Sequence, residues 1–325
     1  MNKKKIIVPH TLCFRFAQIR KYINKSNNKS NMVLEYLYPL KLIEKNPIYA
    51  FLLGLCYSII GIGTALLLFP EDPALVSVAF IAIMFYPTIN SLMKQEEKIE
   101  TKKKDLSPIL FFKNHKNIFK VYALAFLGIF LSFALFSMIL PSLKTNYIFD
   151  NQINVLYGNT GKATGAAINT SLLRDLFSNN LSVLILAFIT AFLIGDGAIF
   201  LIAWNASVWG TIFGTLAKNA AIKGASVGWA VCKTPANCFS IIMLIVFLHM
   251  IIEAFAYMCS ATAGGSISKA ILKEKVLSKR FKTLLVNTAL LIIFALIILW
   301  IGALIETYVL TNSNTYGMII RQSFL

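Results

Sequence analysis

The sequence predicts an all-α polytopic membrane protein with about seven transmembrane helices and a cytoplasmic N-terminus. Apolar residues make up 57% of the 325 positions and charged residues only 14%, whereas soluble domains average about 45–50% and about 25%. The apolar residues are gathered in uncharged blocks of about 20, the length that a helix needs to cross the hydrocarbon core. A third observation, the placement of lysine and arginine, gives the orientation.

The apolar blocks give the transmembrane helices in chain order. The first two form a hairpin whose tight turn holds Pro70 and Pro73, and the third ends at Pro141. The predicted spans are residues 48–69, 74–93, 120–140, 181–203, 205–217, 236–262 and 283–305.

Residues 181–217 leave the number of crossings open between six, seven and eight. These 37 positions are nearly all apolar, too many for one crossing and barely enough for two. Residues 205–217 alone are short enough to be a buried or re-entrant segment. Seven crossings put more basic residues in the cytoplasm, so we favour seven.

Basic residues indicate which loops face the cytoplasm. Residues 1–47, 94–120 and 269–282 hold 24 of the 31 lysines and arginines, and short loops rich in these residues stay inside. The turn at 70–73 and the loop 141–180 are therefore expected outside the cell membrane. The net charge of +17 then reflects topology and contact with anionic lipid headgroups. Nucleic acid is not an expected partner, because no base-reading fold is present.

The chain divides into four segments. Residues 1–31 are basic and rich in Asn, and we expect a disordered extension, with Met32 as a candidate start. Residues 32–111 contain an amphipathic lead-in, the hairpin and a basic cytoplasmic loop. Residues 112–305 form the main membrane domain, and residues 306–325 form a C-terminal tail.

Two stretches resemble a known family. TSLLRDLFSNNLSVLILAFITAFLIGDGAIFLIAWNASVWGTIFG holds an Asn pair, a glycine-flanked centre and a Trp-Asn-Ala-Ser block, and FLHMIIEAFAYMCSATAGGSISKAI holds a His followed by Glu after four residues. With the opening MVLEYLYPLKLIEKNPIYAFLLG and the turn FPEDP, this ordered set resembles the stage II sporulation protein M family, most closely its archaeal-type branch. The resemblance covers about residues 32–305. Its members usually have a small residue at Asp196, and often Pro and Gly at Leu248 and Met250.

The resemblance implies a role as well as a fold. The best-known bacterial members look like membrane scaffolds that recruit peptidoglycan-degrading partners during forespore engulfment. For this chain the resemblance implies a non-enzymatic scaffold or assembly subunit with membrane or extracytoplasmic protein partners. A transporter or permease subunit is the alternative, with Asp196, Asn205, His249 and Glu253 lining a pathway. A cavity lined by these residues would favour transport, and a packed core in which they pair would favour scaffolding.

His249 and Glu253 are one helical turn apart and so share a helix face. A His beside a carboxylate could handle protons or bind a ligand, but we favour a hydrogen-bonded pair that fixes helix packing. Two ligands are too few for a catalytic zinc ion, which takes three from the protein. The sequence predicts no catalytic, cofactor or metal site.

Asp196, between Gly195 and Gly197, is expected at a helix break or near an interface, where water or free amides satisfy its carboxylate. An aspartyl protease needs two carboxylates that share a proton, and Asp196 is the only Asp in an apolar span. Pairing with His249 is a further alternative.

Asn205 has an amide that can donate and accept hydrogen bonds across a helix interface. Ala206, Gly210 and Gly214 recur every four residues, a spacing that lets two helices approach closely. Trp204 belongs either to an interfacial aromatic belt or to the packed interior. Close packing is therefore favoured over a substrate site.

Cys232 and Cys238 flank a turn that contains Pro235 and is expected outside. A disulfide is conceivable there, but free thiols are the favoured state.

Overall fold

A computed structural model describes Ile43 and residues 46–102, 116–160, 170–194, 198–227, 231–273 and 278–324. This part of the chain is almost entirely helical and contains no strand. Seven of its helices are long and apolar enough to cross a bilayer, which confirms the predicted class and the preference for seven spans. The predicted extension 1–31 and the candidate start Met32 lie outside the described residues.

Ten helices follow one another along the described chain. Seven of them are the candidate spans, two short ones follow the third span, and one closes the C-terminus. They are α1 (Ile48–Leu68), α2 (Pro73–Lys102), α3 (Lys116–Ile139), α4 (Ser142–Ile148), α5 (Asp150–Thr160), α6 (Thr170–Ile194), α7 (Ala198–Val227), α8 (Pro235–Lys273), α9 (Lys279–Asn312) and α10 (Asn314–Phe324).

Local sequence explains several helix ends. Helices α2 and α8 begin with a proline, whose missing N–H needs no partner at the first helical position. The Ser278 hydroxyl caps α9 by accepting a hydrogen bond of 3.1 Å from the Phe281 amide, one of the amides that lack an intrahelical partner. Helix α3 stops just before Pro141, which cannot donate to a continuing helix.

The predicted boundary between 181–203 and 205–217 is wrong. Helix α6 ends at Ile194 and α7 runs without interruption from Ala198 to Val227, so residues 205–217 are neither a separate span nor a re-entrant segment. The apolar run ends at Lys218, yet the candidate span continues to Gly224. Lys218 is buried inside the protein, so its charge does not mark the end of the helix.

The predicted tail 306–325 is also wrong. Helix α9 continues to Asn312, and α10 follows almost at once. Glu306 ends the apolar run, but one of its carboxyl oxygens is buried within the protein and the group is hydrogen-bonded to Glu253. An ionisable residue inside a span can thus belong to the bundle interior instead of the membrane boundary.

Helices α3 and α7 form the centre of the bundle. In the most apolar stretch of 18 residues, 56% of α3 and 67% of α7 is buried, compared with 22–44% in the other spans. Helices α1 and α2 pack on one side of this pair, whereas α8 contacts α7 and also packs against α6 and α9.

One end of the bundle, which we call the capped end, consists of residues 69–72, α4, α5, residues 231–234 and α10. The Tyr147 hydroxyl donates to the Pro70 carbonyl, and the Asn151 amide donates to Asp72 at 3.0 Å. The Lys218 ammonium donates to the Leu140 carbonyl at 3.0 Å. These bonds connect the first hairpin, the α3–α4 junction and the C-terminal part of α7 at this end.

A disulfide joins Cys232 and Cys238 at the capped end, so the expectation of free thiols is wrong. The chain turns between α7 and α8 and brings the two Cα atoms to 5.1 Å, within the range that a disulfide bridges. Both cysteines are buried in one apolar cluster with Tyr316 and Ile319 of α10. The disulfide therefore lies beneath the C-terminal helix.

Candidate functional site

The main polar site inside the membrane region is formed by Asn180 of α6, Glu253 of α8 and Glu306 of α9. The Glu253 carboxyl is hydrogen-bonded to the Glu306 carboxyl, and the Asn180 side-chain amide donates to Glu253. Glu253 is 3% exposed and Asn180 is 8% exposed. Three helices thus place their polar side chains against one another, away from lipid.

The contact between α6 and α8 explains how Asn180 reaches Glu253. The Ser260 hydroxyl of α8 donates to the Leu184 carbonyl of α6 at 2.7 Å. Further along, Gly264 lies directly on α6, where a Cβ atom would be 2.9 Å from the Cβ of Ala191. Small residues let helix backbones approach this closely in a membrane. One turn before Leu184, the same contact brings Asn180 to the Glu253 carboxyl.

A glycine of α9 makes room for Glu253. A Cβ atom at Gly302 would lie 3.1 Å from Glu253 Cγ and 3.7 Å from its Oε1. Glu306 follows Gly302 by one helical turn, so both positions lie on the same face of α9. The Glu253 side chain therefore crosses onto α9 beside Gly302 and meets the carboxyl group of Glu306.

Two tyrosines lie close to the carboxyl pair. Tyr257, one turn along α8 from Glu253, interacts electrostatically with both carboxyl groups. Tyr316 of α10 interacts with Glu306, and burial together with that carboxyl raises the pKa of the Tyr316 phenol. The C-terminal helix thus connects the intramembrane site to the capped end.

The structure does not show the predicted pairing of His249 with Glu253. Glu253 has Glu306 and Asn180 as its partners, while His249 is 6% exposed and its Nδ1 has no hydrogen-bond partner among the described residues. Sequence reasoning missed Glu306, because Glu306 was assigned to the tail. The signal that could have revealed it is Gly302, one turn earlier in the same apolar run.

Asn205 bonds within its own helix. Its amide donates to the Leu201 carbonyl at 2.9 Å, so this hydrogen bond lies within α7 and does not cross a helix interface. Leu201 precedes Asn205 by one helical turn, so its carbonyl oxygen can accept the hydrogen bond from the Asn205 amide within the same helix. Trp204 is partly buried and packs against the main apolar cluster of the bundle.

Gly210 and Gly214 lie where α7 meets α3. A Cβ atom at Gly214 would be 2.5 Å from the Ala134 carbonyl oxygen and 2.9 Å from Ser137 Cβ. At Gly210 it would be 3.0 Å from Phe133 Cβ and closer still to the Phe130 carbonyl oxygen. The two glycines therefore bring the backbones of the two central helices together. Gly195, Asp196 and Gly197 lie outside the described residues.

A second set of polar contacts follows α7 towards the capped end. Gln152 of α5 donates to the Ser207 hydroxyl at 3.3 Å and to the Ala74 carbonyl at 3.2 Å. Lys218 also donates to the Thr145 hydroxyl at 3.0 Å. The sequence did not single out these residues, because each stands alone in an apolar or loop segment until the fold brings its partner to it.

The carboxyl site is suited to hydrogen bonding and proton binding. Among the residues that the structure describes, no group of three His, Cys, Asp or Glu side chains lies together in a way that would hold a metal ion. The Glu253–Glu306 pair and Asn180 instead contact one another across three helices, an arrangement that stabilises helix association.

Comparison with known protein families finds a match over most of the membrane domain. A family model described as Stage II sporulation protein M matches residues 123–310, more than half of the 325 residues. The match runs from α3 to α9 and includes Asn180, Glu253 and Glu306, while α1, α2 and α10 lie outside it. No curated protein and no solved structure matches the chain. With its membrane helices and a family match over most of the membrane domain, the chain belongs to the stage II sporulation protein M family.

Proposed function

We propose that this chain is a non-enzymatic scaffold or assembly subunit of a complex in the cell membrane. The observation that carries the proposal is the mutual pairing of Asn180, Glu253 and Glu306. In a transport pathway such groups would face a water-filled cavity. Here they bind one another between tightly packed helices, as expected for side chains that hold a bundle together.

Close backbone packing supports the same function. Gly54 of α1 lies against α3, where an added Cβ atom would be 2.7 Å from the Ala125 carbonyl oxygen. Gly214 and Gly264 make equally close contacts between other helix pairs. Three such close contacts fix the helices relative to one another. The surface of the bundle then keeps one arrangement, which suits a subunit on which other proteins assemble.

The capped end is the proposed surface for protein partners. The opposite end holds the described parts of the basic segments, residues 94–102, 116–120, 269–273 and 279–282, and we place this end in the cytoplasm against anionic headgroups. The capped end would then face outwards. The Cys232–Cys238 disulfide supports this orientation, because disulfides form in oxidising compartments.

Site-specific photocrosslinking in native membranes tests the proposed surface. A photoreactive amino acid at Leu143 of α4, which is 86% exposed, should yield a discrete adduct with another protein. The matched control is Leu244 within the α8 span, which is 84% exposed and should contact lipid. Equal adduct patterns at the two positions, or no protein adduct at Leu143, would contradict the proposal.

A further inference from the structure

The carboxyl groups of Glu253 and Glu306 lack the hydrogen-bond donors that two ionised carboxylates need. Glu253 Oε1 and Glu306 Oε2 are both buried, and no donor among the described residues reaches either oxygen. The Asn180 side-chain amide donates one hydrogen bond to Glu253. At least one more donor is therefore needed for this pair to be satisfied.

A proton provides that donor. An ionised carboxylate can only accept hydrogen bonds, whereas a protonated carboxyl group also donates one. Two carboxylates in contact repel each other when both are charged, and a single shared proton removes this repulsion. The hydrogen bond between Glu253 and Glu306 thus requires that one of the two groups carry a proton.

Among the described residues, the side chains that interact with the pair supply no positive charge to neutralise two carboxylates. Tyr257 on α8 and Tyr316 on α10 interact with the pair, but a phenol is neutral or negative and cannot supply positive charge. The group from α6 is the Asn180 amide, which does not titrate. His249 lies one turn along α8, and its Nδ1 has no hydrogen-bond partner among the described residues.

We infer that Glu253 and Glu306 form a proton-binding site that holds one proton between α8 and α9. The bound proton joins the two helices at Gly302, and Asn180 joins α6 to the same site. This inference goes beyond the scaffold function, since it assigns a ligand to an intramembrane position. It makes the association of these three helices dependent on occupancy by that proton.

Infrared difference spectroscopy of the purified full chain tests the inference. At neutral pH the wild-type protein should show the C=O stretching band of a protonated carboxyl group. Glu253→Gln and Glu306→Gln should each lose this band, because a glutamine amide can donate to the remaining carboxylate and makes the proton unnecessary. Glu71→Gln, at the exposed turn of the first hairpin, is the matched control and should retain the band.

Each alternative has its own spectrum. If both carboxyl groups are protonated, the single variants will keep a protonated band, which overturns the one-proton site. If neither is protonated, the wild type and both variants will have the same spectrum in this region, which also overturns it. In that case a Tm raised by sodium chloride but not by choline chloride, in the wild type only, would indicate a metal cation as the occupant.

Thermal unfolding separates loss of the proton site from loss of the fold. Glu253→Gln and Glu306→Gln preserve side-chain shape and should unfold close to the wild-type temperature. Glu306→Ala leaves Glu253 without its partner and should lower the Tm. If one glutamine variant does not fold, the other still reports the band, because the inference predicts its loss in both.

Discussion

The Glu253 side chain of α8 fills the space beside Gly302 of α9. A Cβ atom on Gly302 would be 3.1 Å from Glu253 Cγ, tighter than an ordinary van der Waals contact. The absence of a side chain at Gly302 thus allows Glu253 to extend across the interface to Glu306. One small residue sets the position of the whole carboxyl pair.

Gly302→Val should therefore displace Glu253 and destabilise the bundle. The added methyl groups overpack a buried contact, which typically costs about 1–3 kcal/mol. The apparent Tm of the purified protein should decrease. Gly63→Val is the matched control in another span, because nothing lies within 4 Å of a Cβ atom at Gly63. Equal Tm changes in the two variants would show that Gly302 has no special role.

Asn180→Leu should weaken the association of α6 with α8. The substitution removes the amide that donates to Glu253, and hydrogen bonds between membrane helices contribute about 0.6–2 kcal/mol. Asn179→Leu provides the control, since Asn179 is exposed while its neighbour is buried. Thermal unfolding should separate the two variants, with a lower Tm only for Asn180→Leu. A Tm for Asn180→Leu equal to the wild type would argue against the hydrogen bond.

Gly214→Leu should separate the central helices α3 and α7. The new side chain would begin 2.5 Å from the Ala134 carbonyl oxygen, a backbone atom that cannot move without moving its helix. We expect a loss of about 3 kcal/mol or more, at the upper end of overpacking effects, visible as a large decrease in Tm. Gly63→Leu adds the same side chain at an open position and should be tolerated. A folded Gly214→Leu protein with unchanged Tm would refute the close approach.

Replacement of Cys232 and Cys238 by alanine should destabilise the capped end. The disulfide closes a short loop with a sequence separation of 6, and such a loop contributes about 2 kcal/mol. Single and double variants should have similar Tm values, because either change removes the bond. Cys56→Ala, at an exposed position of α1, should have little effect. Mass spectrometry after alkylation should find both cysteines modified only after reduction, and modification without a reductant would contradict the disulfide.

The amino-acid sequence determined the class of this protein and favoured the seven spans that the structure shows. In the bilayer core every backbone N–H and C=O must be hydrogen-bonded within the protein. A long uncharged block that crosses the core therefore forms a helix. Residues 48–69 and 283–305 could be recognised for this reason without knowledge of their neighbours. Small residues such as Gly214 likewise indicated close packing, although not which helix they approach.

Only the tertiary structure decided where the helices end and which polar groups meet. Hydropathy places Lys218 and Glu306 at the ends of apolar runs, because it assigns each charge to water. Both lie inside the bundle, where carbonyl, hydroxyl or carboxyl groups of another helix replace the hydration shell. Glu253 thus pairs with Glu306, 53 positions away along the chain, and not with His249 on its own helix. The close approach of α9 to α8 at Gly302 brings Glu306 to Glu253. That approach depends on all the contacts between the two helices, which the sequence does not reveal.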